Sequence, residues 1–218
     1  VTSLLRDRQD QLWIGTISSG LFRLSTLGLE QLTVEQGLPN NRVLALFEDK
    51  EGSLWVGTNG GLMRLRDTPF TTLTIDQGLS DNYVRTLLEH SDGSLWIGSS
   101  NGLDRQVGQD IQQIRLADGK PVPSVLSLAE APNGDLWVGT YTVGVMRFRQ
   151  GQLIAQYQRK DGLGSNEVRA ILPVNEQDAW FSSSWGVTRL QGETLTNFTT
   201  ADGLPSSFVS ALMQHADG

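Results

Sequence analysis

Residue types that commonly carry out catalysis are scarce in this 218-residue sequence, and they form no known catalytic pattern. The chain has no cysteine and two histidines, His90 and His215, so it offers neither a thiolate nor a histidine metal cluster. The serines form no nucleophile-elbow motif, and no glycine-rich loop has the spacing that holds a phosphate. We therefore predict a protein that is not an enzyme and that has no cofactor and no bound metal.

Carboxylates are the remaining candidates for catalysis, and they recur at turns. Glu48, Asp49 and Glu51 lie beside a predicted hairpin turn, and acidic residues return at equivalent turns later in the chain. A glycoside hydrolase needs two carboxyl groups about 5–9.5 Å apart in a pocket. Acidic residues that repeat at one kind of turn are instead predicted to accept hydrogen bonds from the turn and to form a solvated rim.

Arginine is abundant, and this residue type is suited to binding anionic groups. The chain has 14 arginines and three lysines, and a guanidinium group can pair with a carboxylate or a sulfate through two parallel hydrogen bonds. The formal net charge is −7, which disfavours a nucleic-acid backbone as partner. Such groups would suit a small-molecule ligand that carries a carboxylate or a sulfate, and we expect no nucleic acid as partner.

A repeat runs through the whole sequence. Five of the six tryptophans recur at steps of 41 to 43 residues: Trp13, Trp55, Trp96, Trp137 and Trp180. Each is followed by a Gly-aliphatic-X-Arg segment, whose arginines are Arg23, Arg64, Arg105, Arg147 and Arg189. A period of about 40 residues indicates a solenoid, a propeller or another array.

Each repeat is predicted to contain four short β-strands. The first strand begins at Val43 or its equivalent, the second contains the tryptophan and the third contains the Gly-aliphatic-X-Arg segment. The fourth is predicted at 70–74 in the second repeat and at 195–199 in the fifth. Glycines in Asp-Gly and Asn-Gly pairs favour a tight hairpin between the first two strands. No segment shows the 3.6-residue period of a helix.

Four antiparallel strands per repeat of this length are typical of a β-propeller blade. A β-solenoid is the alternative, but its coils are usually shorter and lack hairpin turns. We predict an all-β fold, a β-propeller of four-stranded antiparallel blades with five repeats present. The repeats are assigned to 1–42, 43–83, 84–124, 125–167 and 168–208, and 209–218 would start a sixth.

The segment from Gly37 to Leu65, GLPNNRVLALFEDKEGSLWVGTNGGLMRL, resembles the two-component regulator propeller repeat, and similar segments recur along the chain. The resemblance implies that the five repeats are part of a seven-bladed propeller. It also implies a non-catalytic, extracytoplasmic ligand-sensing domain, periplasmic in location, of a bacterial transmembrane signalling receptor. The output kinase or diguanylate cyclase would lie outside this chain, and the ligand would be an oligosaccharide.

Two other functions remain open at this stage. The first is a protein–protein interaction scaffold, which would present a wide apolar patch. The second is a propeller-type polysaccharide lyase or hydrolase, which would need a histidine or tyrosine base beside metal ligands.

The register of the repeats leads to an expectation about the whole protein. Residues 209–218 and 1–10 would compete for one inner-strand position in a closed five-bladed ring, and an open array would expose apolar edges. We therefore expect a fragment of a longer protein that self-associates or pairs with missing blades. No apolar run reaches the 18–20 residues of a membrane span, so a membrane would be contacted only through missing segments.

Ligand-binding residues are sought where the repeats differ, because positions that are alike in every repeat are expected to be framework. The framework includes the five tryptophans, the five arginines and a corner asparagine that is predicted to cap its turn (Asn41, Asn82, Asn166). The candidates lie near one end of the blades, in two sets of loops expected there and, for Arg85 and Arg169, on the inner strand just beyond the corner: Arg42, Tyr83, Arg85, Tyr141, Glu167, Arg169 and Trp185. The alternative is that Arg85 and Arg169 pair with Glu89 or Glu167 and that Trp185 covers an edge.

Overall fold

The computed structural model describes residues 1–26, 28–65 and 71–214, with the side chains of Thr71 and Thr72 left out. Each repeat forms a four-stranded antiparallel sheet in which the strands lie side by side in chain order. This is the arrangement of propeller blades, and it confirms the predicted all-β fold. Residue 70 of the predicted fourth strand, His215 and 215–218 of the sixth repeat lie outside the described residues.

The strands are short and regular. The first sheet contains β1 (Ser3–Arg6), β2 (Leu12–Gly15), β3 (Leu21–Ser25) and β4 (Gly28–Leu32). The second contains β5 (Val43–Glu48), β6 (Leu54–Thr58), β7 (Gly61–Leu65) and β8 (Thr71–Leu73). The third contains β9 (Val84–Glu89), β10 (Leu95–Ser99), β11 (Gly102–Val107) and β12 (Asp110–Gln113). The fourth contains β13 (Val125–Glu130), β14 (Leu136–Thr140), β15 (Val145–Arg149) and β16 (Gln152–Tyr157). The fifth contains β17 (Ala170–Pro173), β18 (Ala179–Ser183), β19 (Gly186–Gln191) and β20 (Thr194–Phe198).

The chain divides into two compact units. The first unit, Val1–Gln113, holds the first three sheets, and the second, Ile114–Gly218, holds the last two. The described part of the sixth repeat, 209–214, forms no strand, although the Val209 N–H donates to the Ser183 carbonyl at 2.9 Å. Within the described residues, no helix has the length and apolar character needed to cross a bilayer.

Short 3-10 helices form the corners between most sheets: Val34–Gln36, Ile75–Gln77, Arg159–Asp161 and Thr200–Asp202. Each ends at a left-handed glycine, for example Gly37 at φ 101° and Gly162 at φ 106°. The predicted strand at 195–199 ends one residue early because Thr199 instead caps its 3-10 helix, where its hydroxyl accepts from the Ala201 N–H. The third corner differs, since residues 115–121 form a hairpin turn around Gly119.

The glycine two residues after the tryptophan fits closely against the next sheet at Gly15, Gly57 and Gly139. An added Cβ at Gly57 would lie 2.8 Å from Val84 Cγ1 of the next inner strand, and one at Gly15 would lie 2.8 Å from Val43 Cγ1. Ser182 takes the equivalent place in the fifth repeat. These glycines are therefore required by close sheet-to-sheet contact.

Trp13, Trp55 and Trp137 pack between sheets of the same unit, as expected for framework residues. Trp55 belongs to a core with Leu79, Val84 and Ile97 of the following repeat. Trp137 is fully buried, and its ring centroid lies 5.5 Å from that of Phe181 in the next sheet. The hydrophobic core is therefore formed by contacts between repeats as much as within them.

Candidate functional site

The two sets of candidate loops meet at one end of the sheets. The N–H of Asn59 donates to the Arg42 carbonyl at 3.0 Å, and the N–H of Ser100 donates to the Tyr83 carbonyl at 3.0 Å. In each case the loop between the second and third strands bonds the corner that enters the same sheet. The backbone of the variable residues is thus held in place by hydrogen bonds between the two loops.

In the first unit, three of the predicted site residues come together. The Arg85 guanidinium carbon lies 4.9 Å from the centroid of the Tyr83 ring, and that of Arg42 lies 5.7 Å from it. All three side chains are half-buried. Glu89 lies 3.9 Å from the Lys50 ammonium, and among the described residues Arg85 forms no ion pair. The alternative pairing of Arg85 with Glu89 is therefore wrong.

In the second unit, Glu167 and Arg169 form an ion pair, as the alternative proposed. The other Glu167 oxygen, Oε2, accepts a hydrogen bond from the Ser184 hydroxyl at 2.6 Å. The Arg169 guanidinium carbon also lies 4.8 Å from the ring centroid of Phe208. The carboxylate therefore links the corner to the loop that carries Trp185.

Three aromatic side chains at this end of the second unit are exposed. The exposed fraction is 68% for Trp185, 54% for Tyr141 and 54% for Phe208. The backbone N–H of Trp185 donates to the Ser183 hydroxyl at 3.0 Å. This bond fixes the loop, while the indole ring of Trp185 faces solvent. Ser184 and Phe208 were not among the predicted site residues; their positions in the variable loops are the signal that could have found them.

The corner asparagines act as framework, as predicted. Asn41 Oδ1 accepts from the Val34 N–H at 3.0 Å, and Asn82 Oδ1 accepts from the Ile75 N–H at 2.8 Å. Asn166 makes the same bond to Arg159 at 2.8 Å. Each side chain ties the start of a 3-10 helix to the strand that follows it.

The carboxylates at the opposite end of the sheets cap hairpin turns. Asp49 Oδ1 accepts from the N–H groups of Glu51 (3.0 Å) and Ser53 (2.8 Å), and Oδ2 accepts from Trp55 Nε1 (2.8 Å). Burial pulls the pKa of Asp49 upward, but these bonds and the nearby Arg64 outweigh it and lower that pKa. A carboxylate held ionised in this way serves the turn.

Asp92 and Asp135 are carboxylates at the corresponding hairpins of later repeats, where Asp92 accepts from the Ser94 N–H and Asp135 accepts from the side chains of Asn133 and Arg149. Burial pulls the pKa of Asp92 upward, but hydrogen bonds from Ser94 together with the charges of His90 and Arg105 lower it to about 2. The pKa of Asp135 is lowered chiefly by hydrogen bonds from Arg149. Within the described residues, no three His, Asp or Glu side chains lie close enough to hold a metal ion.

The repeats match a known family. The family model described as "Two component regulator propeller" matches residues 1–18, 37–60, 78–101 and 119–142. The chain carries two component regulator propeller repeats. The fifth repeat is outside the match, and it is the one in which Ala179, Phe181 and Ser182 replace the usual residues around the tryptophan. No protein of curated function matches the sequence.

Solved structures with the same fold include the extracellular domain of a hybrid two component system from B. thetaiotaomicron. It is 24% identical with a TM-score of 0.79, and the match covers 95% of this chain and 29% of that one. The two component regulator propeller repeats described here thus span less than a third of that chain. Virginiamycin B lyase from Staphylococcus aureus is 15% identical (TM-score 0.72, covering 93% and 70%), and PorZ from Porphyromonas gingivalis is 14% identical (TM-score 0.69, covering 95% and 35%). At these identities the likeness concerns the fold.

Proposed function

We propose that this chain is a non-catalytic, extracytoplasmic propeller domain of a bacterial transmembrane receptor and that it binds an oligosaccharide. The repeat family and a structural neighbour described as the extracellular domain of a two component system support the sensor role. The receptor's output domain would lie outside this chain, and the domain would face the periplasm.

The observation that carries the ligand class is the set of exposed aromatic rings in the second unit. Trp185 and Tyr141 present large ring faces to solvent beside the hydrogen-bonded Glu167, Arg169 and Ser184. Rings of this kind pack against the apolar faces of sugars, while neighbouring polar groups bond to hydroxyls. A rigid framework that displays both kinds of group on its loops suits saccharide binding.

The arrangement of His90 supports a role without catalysis. His90 lies at the β9–β10 hairpin, and its Nδ1 is 3.1 Å from Asp92 Oδ1. This hairpin is at the opposite end of its sheet from the variable loops. A lyase or hydrolase would need an acid or base beside its ligand, and the described candidate loops hold Glu167 already paired with Arg169.

For signalling, we propose that ligand capture favours one of two relative positions of the propeller and a following domain. A ligand can shift such an equilibrium only by its difference in affinity for the two states. Kinase or cyclase output of the intact receptor should therefore change with a tightly bound saccharide. An output that stays constant with such a ligand would exclude the signalling role.

Calorimetric titration with a panel of neutral and acidic oligosaccharides tests the binding role. Trp185→Ala should weaken saccharide binding at least about tenfold, the loss that follows from removing a stacked ring, with an unchanged melting temperature. Val174→Ala is the matched control, because Val174 is an exposed apolar residue (43%) of the same unit at the opposite end of its sheet. Absence of saccharide binding together with capture of a protein partner would favour the scaffold function.

A further inference from the structure

The first unit holds two cations on a single aromatic ring. The guanidinium carbons of Arg42 and Arg85 lie 5.7 and 4.9 Å from the Tyr83 ring centroid. The backbone of Tyr83 is fixed on both sides, since its N–H donates to Asp81 Oδ1 at 2.7 Å and its carbonyl accepts from the Ser100 N–H. The ring therefore holds both arginines at a defined place among the variable loops.

No described side chain balances these two charges. Arg42 and Arg85 form no ion pair with the described residues, and the Nε of each is buried without a hydrogen-bond partner. Asp81, the carboxylate of the same corner, accepts instead from the Tyr83 N–H and from the Ser100 hydroxyl at 3.0 Å. Buried donors without an acceptor destabilise a protein unless water or a binding partner satisfies them.

Other arginines with an unpaired Nε differ in one respect. Arg64, Arg147 and Arg169 also have a buried Nε without a partner, but each reaches a carboxylate through another nitrogen. The unpaired charge therefore distinguishes Arg42 and Arg85 from these three.

The repeat provides an internal comparison for Arg85. Arg169 occupies the equivalent position in the fifth repeat, directly after a buried valine at the start of the inner strand. The corner position two residues before it is Glu167, which pairs with Arg169. The same corner position holds Tyr83 before Arg85, and Arg42 one repeat earlier. At this corner position the second unit has the carboxylate of Glu167, which pairs with Arg169, whereas the first unit has Tyr83 or Arg42 and no carboxylate.

We infer that Arg42, Tyr83 and Arg85 form a subsite for an anionic group, a carboxylate or a sulfate, carried by a saccharide ligand. Guanidinium groups bind both through charge-assisted hydrogen bonds, and the Tyr83 ring holds the two guanidinium groups close to each other. This inference rests on the proposed saccharide-binding function and narrows it to acidic saccharides. The net charge of −7 means that such selectivity must come from this local arrangement.

Calorimetric titration of the purified chain with three tetrasaccharides tests the subsite: a galacturonic acid oligomer, a sulfated chondroitin-type oligomer and a neutral glucan. The double variant R42Q/R85Q should lower the affinity for an acidic probe at least tenfold and remove its dependence on salt concentration. Affinity for the neutral probe and the melting temperature should stay unchanged. The variant R42K/R85K keeps the charge and should keep the salt dependence. The matched control is R6Q/R8Q, which removes two exposed arginines at the β1–β2 hairpin, at the opposite end of the sheets, and should leave acidic binding unchanged.

The outcomes separate this inference from the proposed function. If the neutral probe binds and acidic probes bind no better, or if R42Q/R85Q leaves acidic binding unchanged, the subsite is wrong and the saccharide-binding function stands. If no probe of either charge binds, the proposed function itself fails. A preference for the galacturonic or the sulfated probe identifies the anionic group as carboxylate or sulfate.

Discussion

The guanidinium carbon of Arg147 lies 5.0 Å from the ring centroid of Trp137, the residue directly opposite it on the neighbouring strand. The same register pair occurs in all five repeats, at 5.0 to 5.6 Å. An arginine that covers a tryptophan in every repeat is part of the framework. The predicted structural role of these arginines is therefore explained by stacking on the tryptophan as well as by hydrogen bonding.

Arg147→Ala should lower the free energy of unfolding by about 1–3 kcal/mol, because it removes a cation–π contact and one of three side-chain partners of a buried carboxylate. Arg147 Nη2 lies 2.5 Å from Asp135 Oδ2, and Asp135 is 1% exposed. Arg6→Ala is the control: its ion pair with Asp10 is exposed on both sides (69% and 75%), so we expect a loss of at most about 1 kcal/mol. Urea unfolding measures both, and equal losses would contradict the structural role of the stacked arginine.

Gly139→Ala should destabilise the second unit by about 1–3 kcal/mol, because the new Cβ would overlap its neighbours. It would lie 2.2 Å from Ser127 Oγ and 2.7 Å from the Val168 carbonyl oxygen. The matched control is Ser182→Gly at the equivalent position of the fifth repeat. There the loss of an unpartnered buried hydroxyl offsets the flexibility of glycine, so the change should stay within about 1 kcal/mol. Thermal unfolding of the two variants tests the predicted contrast.

Asp92 should contribute to stability above about pH 4 and lose that contribution as the pH falls toward 2. Its pKa is about 2 in the folded chain against an ordinary value of 3.8, so the unfolded chain binds more protons in this window. The melting temperature of Asp92→Asn should therefore fall less steeply than that of the unchanged chain between these pH values. Arg105→Gln removes the guanidinium 2.6 Å from Asp92 and should reduce the pH effect partly. Parallel melting curves for the unchanged chain and Asp92→Asn would show that Asp92 has no such role.

Asn82→Ala should cost about 0.5–2 kcal/mol, the usual effect of losing a side-chain cap. Its Oδ1 accepts from the Ile75 N–H at 2.8 Å, and that donor would be left without its partner. Asn101→Ala is the control, since Asn101 is exposed and surface substitutions usually change stability by less than about 0.5 kcal/mol. Chemical denaturation compares the two, and a neutral Asn82→Ala would show that the corner does not depend on this bond.

Much of the repeat unit followed from local chemistry. The glycine of each Asp-Gly or Asn-Gly turn takes a positive φ, as at Gly93 (83°) and Gly134 (80°), which a hairpin requires of its turn residue. The corner asparagine caps its turn as expected. The first strand of the fifth repeat was less predictable: β17 begins at Ala170, since Val168 and Arg169 bond through their N–H groups to Thr140 and Ser182 outside the regular ladder.

The sequence by itself determined the period, the four strands of each repeat and the turns between them, because these depend on residues close together in the chain. The tertiary structure alone decided which variable side chains meet. Arg42 reaches Tyr83, and Arg169 reaches Phe208, across 41 and 39 residues, because corners of successive repeats are brought together by the packing of one sheet on the next. Arg85 and Arg169 differ in the residue two positions before each, Tyr83 or Glu167, which is a local difference. The second guanidinium on the Tyr83 ring, that of Arg42, comes from the preceding repeat and depends on that packing.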